Sequence, residues 1–79
     1  MVEAGQLRMW RKQADGGQFY NQEDGKLCFV TQRFENGEDE RGRQRPSTFT
    51  VLQTRLDGDG MENPWFYEAE LEEHTVLVE

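Results

Sequence analysis

The residues nearest to a metal site are Asp57-Gly58-Asp59-Gly60 with Glu68 downstream. Asp57, Asp59 and Glu68 fall at the first, third and twelfth ligand positions of a calcium loop. Met61 stands at the fifth position and offers no side-chain oxygen, and Glu62 stands at the sixth, where such a loop needs glycine. The Asp-Gly pairs read more simply as a hairpin turn. Glu68, Glu70, Glu72 and Glu73 could serve as acid and base, but that work needs two carboxylates in contrasting environments, and their spacing separates none of them. A charge run of this kind reads as a solvated face. His74 has no spaced serine or cysteine nucleophile, so no triad is read. Cys28, between Leu27 and Phe29, reads as a small buried hydrophobe with a raised pKa, hence inert. The sequence therefore predicts no enzyme, no cofactor and no metal.

Binding chemistry is more plausible than catalysis. Arg41, Arg43 and Arg45, with Arg33 nearby, could grip phosphates or an acidic partner. Glu35, Glu38, Asp39 and Glu40 share that stretch and offset them. The chain carries a formal charge of -7 over 79 residues, with an isoelectric point near 4.6. Such a chain is repelled by nucleic acid and by anionic membrane. The aromatics Trp10, Tyr20, Phe66 and Tyr67 are candidates for protein contact, as are Arg41, Arg43, Arg45, Glu70 and Glu72.

The elements that position these residues are short strands. Gln6 to Arg11 alternates, with Leu7 and Met9 on one face and Trp10 on the other, where it could cover a barrel end. The stretch from Lys12 to Gly25 is polar and turn-rich, with Phe19 and Tyr20 interrupting it. Lys26 to Phe34 is apolar on both faces in its middle and should be a central strand. Glu35–Pro46 reads as a long, mobile, charged hairpin tip. Ser47 to Leu56 is a third strand, rich in β-branched and aromatic residues. Pro64 opens the next strand, where its missing N–H does least harm. Trp65 and Tyr67 share a face. Glu68 to Glu73 holds only Leu71 as a large apolar residue, which suits one 3₁₀ turn before a closing strand with Val76 and Val78. The expected core is Leu7, Met9, Leu27, Phe29, Phe49, Val51, Trp65, Leu71, Val76 and Val78.

A single all-β domain of about five strands follows, curled into a small antiparallel barrel because a flat sheet of this size would expose an apolar face. One cysteine excludes an internal disulfide, and no apolar run approaches the ~20 residues that span a bilayer. No basic-then-apolar segment opens the sequence, so secretion is not expected.

The order of pieces resembles SH3-like barrels of the small KOW- and Tudor-like type. More narrowly, it resembles short proteins encoded by tailed bacteriophages and their hosts. The residues that carry the likeness are Gly5-Gln6-Leu7-Arg8 with Trp10, Gly25 to Val30, Phe49-Thr50-Val51-Leu52, Asp57-Gly58, and Trp65 through Leu71-Glu72 with Thr75 to Val78. The charged insertion Glu35–Pro46 departs from that pattern. The resemblance implies an accessory or structural protein of a virion, or a protein of the infected cytoplasm, that docks on a larger protein. Nucleic-acid binding through the arginines is the alternative, and inhibition of a host protein by the acidic face is the second. Partner identity and oligomeric state stay open at this point.

Overall fold

The computed structural model describes residues 1–11 and 24–79. Strands β1 (Leu7–Trp10), β2 (Leu27–Phe34), β3 (Thr48–Thr54), β4 (Met61–Glu62) and β5 (Trp65–Tyr67) precede a helix α1 (Glu68–His74) and a last strand β6 (Thr75–Leu77). All strand pairings are antiparallel, in the order β4-β3-β2-β1-β6, with β5 also on β3.

β3 is the hub. One edge pairs with β2, and the other pairs with β4 at Gln53 and Thr54 and with β5 from Thr48 to Thr50. From Met61 to Tyr67 the chain keeps a single register against β3, and Val51 N donates to Pro64 O at 2.9 Å between the two strands. Pro64 has no N–H to return, so the ladder loses one bond there and two short strands stand where one long strand would. Pro64 thus stands at the start of β5, as expected, and separates it from β4. β2 bends at a register shift between Val30 and Gln32, where the Thr31 hydroxyl lies 2.8 Å from that of Thr50.

The core lies on one face of this sheet: Val2, Trp10, Cys28, Val30, Phe49, Val51 and Leu71, with Phe66 packed against it. Trp10 and Phe66 meet edge to face at 5.0 Å between ring centroids. α1 lowers Leu71 and His74 onto the same side. Its start is fixed by Glu70, whose Oε1 accepts from Tyr67 N at 2.9 Å, and acidic residues in the first turn suit the helix dipole. At its end, Thr75 N and the Thr75 hydroxyl both donate to the Leu71 carbonyl.

Several sequence-based expectations change. The sheet is mostly antiparallel β with one short helix, but it is not a closed barrel: among the described residues no pairing joins β6 to β4 or β5. The expected 3₁₀ turn is an α-helix, because Glu, Ala and Leu are good helix formers and Glu70 closes the first turn. The face assignment of β1 is reversed. Arg8 and Trp10 point inward, Leu7 points outward and Met9 is half-buried. The guanidinium of Arg8 is buried with no carboxylate partner among the described residues, donating to Thr75 Oγ1 (2.7 Å), Thr75 O (3.5 Å) and Gln6 Oε1 (3.0 Å). Leu27, Phe29, Trp65 and Val76 are exposed rather than core, and Val78 is half-buried. Conversely, Trp10, expected as a contact residue, is buried in the core, and Phe66 is half-buried and packed against it. Phe49, Val51 and Leu71 are core as expected. Tyr20 lies outside the described residues.

Candidate docking surface

Because side chains alternate along a strand, the residues excluded from the core share the opposite face. Register places them in rows. Val76 is opposite Met9, and Met9 is opposite Leu27. The register of β2 on β3 then brings Thr54 beside Leu27, and Met61 pairs with Thr54. In the next row Leu7 is opposite Phe29 and Phe29 opposite Leu52, while Val78 N donates to Leu7 O. Leu27 is 50% exposed, Phe29 42% and Met61 54%.

Beyond the bend of β2 the same face becomes aromatic. Gln32, Thr50 and Trp65 form one row, and Phe34, Thr48 and Tyr67 the next. The rings of Trp65 and Tyr67 meet edge to face at 5.3 Å, and Trp65 is 58% exposed. With Phe34, Pro46, Arg45 and Glu35 they line an open cleft of about 590 Å³. Sequence reasoning found Tyr67 but missed Phe34 and Pro46. The signal was there: Phe34 stands at the charged end of β2, where no core residue follows it.

The arm that flanks this cleft is a small hairpin. Asp39 N donates to Arg43 O and Arg45 N to Gly37 O, around a bridge between Glu38 and Gln44. Asp39 Oδ1 accepts from the backbone N–H of both Arg41 and Arg43 at 2.9 Å each. Gly42 has a φ of +74°, a conformation that a side chain would strain. At the base, Asn36 Nδ2 donates to Pro46 O at 2.7 Å. Arg33 is engaged by Glu35 (2.6 Å) and Ser47 (2.9 Å). Arg41, Arg43 and Arg45 are exposed, with no ion pair among the described residues.

The residues considered for chemistry are spent on structure. Asp57 Oδ1 accepts from Asp59 N at 2.9 Å inside the β3–β4 turn, where Gly58 has a φ of +75°. Glu68 instead faces the Val2 N–H, at 3.4 Å. No three acidic, histidine or cysteine side chains gather as ligands would among the described residues. Glu70 closes the helix start, and Glu72 lies 3.2 Å from the Met1 amino group. Cys28 is buried, and desolvation raises its pKa to about 11 even though Arg8 and Lys26 pull it down. It makes a poor nucleophile.

Among the described residues no helix is long and apolar enough to cross a membrane. Comparison of the chain with known protein families, with curated proteins and with solved structures gives no match.

Proposed function

We propose that this chain is a non-enzymatic protein-interaction module, and that the cleft of Phe34, Trp65 and Tyr67 with the Glu35–Pro46 arm is where a larger protein docks. The observation that carries this is the pair Trp65–Tyr67, set edge to face in the open beside an arm that presents three exposed arginines. Rigid aromatic rings left in water at a concave place are the groups that gain most from a partner. The two classes of contact also complement each other: the rings supply affinity, while Arg41, Arg43 and Arg45 supply orientation and rate. The likeness to phage-encoded barrels supports a partner in a virion or in the infected host, and supports reading the open sheet as an SH3-like fold.

Affinity capture from the producing cell tests the reading, with Trp65→Ala and Tyr67→Ala as paired controls. One discrete partner should be retained by the wild-type chain and lost by both variants. Equal retention by all three would refute it.

The exposed, unpaired arginines favour one second reading, phosphate contact with a nucleic acid. Retention on DNA or RNA at low salt, falling steeply as salt rises, would favour it. Absence of binding at low salt would remove it.

A further inference from the structure

The rows on the other half of the outer face are a different surface from the cleft. Val76, Met9, Leu27, Thr54 and Met61 make one row, and Val78, Leu7, Phe29 and Leu52 the other. None of these positions is ionised, in a chain of which 32% is charged. We infer that this uncharged sheet face is the interface with a second copy of the same chain, packed sheet against sheet.

Three features of this face suit a second copy as the occupant. The first is charge. Two copies each carrying -7 repel one another wherever their charged surfaces meet, and this field lets them approach with least repulsion. The second is symmetry. The rows run across the strands with Phe29 near their middle, between Leu7 and Leu52. A two-fold axis through that point lays apolar rows on apolar rows, which is what an isologous contact requires. The third is area. At the exposures seen, the rows present on the order of 600 Å² of apolar surface, the upper end of the largest patch on a typical monomer. That is most of the ~800 Å² per partner in a standard interface, and the polar rim supplies the remainder. Aligned packing would set the two sheets about 10 Å apart, with the apolar rows of each copy covered by the other.

The test is sedimentation equilibrium of the full chain across a range of micromolar concentrations, with Phe29→Lys, Leu52→Lys and Trp65→Ala alongside. The expected result is a discrete monomer–dimer equilibrium. Each lysine variant should weaken it by at least about tenfold, since a lysine there must be desolvated unpaired. Trp65→Ala lies in the cleft and should leave the equilibrium unchanged, which separates this surface from the proposed docking site. Near-ultraviolet circular dichroism of Trp10 checks that each variant is folded. Should a lysine variant unfold, Leu52→Thr puts a β-branched residue that suits a strand at that position and is read in the same way. A chain that stays monomeric throughout overturns the inference, including one whose face is instead occupied by an unrelated protein. So does a dimer indifferent to Phe29 and Leu52, or an open-ended series of larger species.

Discussion

Trp10 Nε1 donates to Gln53 Oε1 at 2.8 Å, and both residues are only 1% exposed. That bond ties β1 to β3 across the intervening β2 and fixes which way both strands face. Gln53 Nε2 passes the chain of bonds to Glu62 Oε1 at 2.9 Å, and Glu62 stands 3.8 Å from the Lys26 ammonium. A polar network thus runs from the core to the edge strand, satisfied at each step. Once Trp10 and Gln53 point inward, alternation sends Leu7, Met9, Leu52 and Thr54 outward.

Gln53→Leu preserves much of the volume but leaves the buried indole N–H without its acceptor. It should destabilise the fold by about 1–3 kcal/mol in urea unfolding. In a double-mutant cycle with Trp10→Phe, the two losses should fall short of additive by about 1 kcal/mol, because the second change removes the orphaned donor. Strict additivity would show that the bond contributes nothing.

Phe49 is fully buried, and Phe29 is 42% exposed on the neighbouring strand. Phe49→Ala should cost about 3–5 kcal/mol, enough to unfold much of a small domain. Phe29→Ala, measured at dilution where the chain is monomeric, should cost less than ~1 kcal/mol. Urea midpoints for the two variants make the comparison.

The positions of the longer strands are legible in the sequence because turn signals and alternation mark them, but five strands are expected where six stand, the two-residue β4 being too short to show a pattern. The inner face is not. In β1 the set Leu7 and Met9 looks apolar, while Trp10 shares its parity with Arg8, and a charged residue normally marks the wet side. The structure buries Arg8 against Gln6, two residues away, and Thr75, which β6 brings from the far end of the chain. In β2 both sets are apolar, so alternation divides them without ranking them. Trp65 and Phe66 pose the same choice, and the contact of Phe66 with Trp10 decides it. The helix was missed because its seven residues bury only Leu71 and His74, too little for an apolar period to show.

Glu70 closes the first turn of α1 through Tyr67 N. Glu70→Ala should cost about 0.5–1 kcal/mol, and Glu70→Gln should recover most of it, since an amide oxygen accepts the same bond. Equal losses in denaturant would assign the effect to charge instead.

Cys28 gives the fold a signed dependence on pH. Below the ordinary thiol value of 9.0 the group is neutral whether the chain is folded or not, so it adds no slope there. Between 9.0 and about 11 only the unfolded chain ionises. The folded state then binds more protons, and stability falls as pH rises. The loss should reach about 2–3 kcal/mol above the folded value. Subtracting the urea midpoints of Cys28→Ala from those of the wild type isolates this component from lysine titration. A difference that stays flat through this range would contradict the buried thiol.

The proposed docking cleft and the uncharged field both require that Trp10 face inward and Trp65 outward. Acrylamide quenching of tryptophan emission, at concentrations where the chain is monomeric, reads this directly. Trp65→Phe, which leaves only Trp10, should emit from a sheltered indole that acrylamide barely quenches. Trp10→Phe, which leaves only Trp65, should be quenched nearly as readily as free indole. The opposite order, with Trp65 sheltered and Trp10 open to the quencher, would contradict the account.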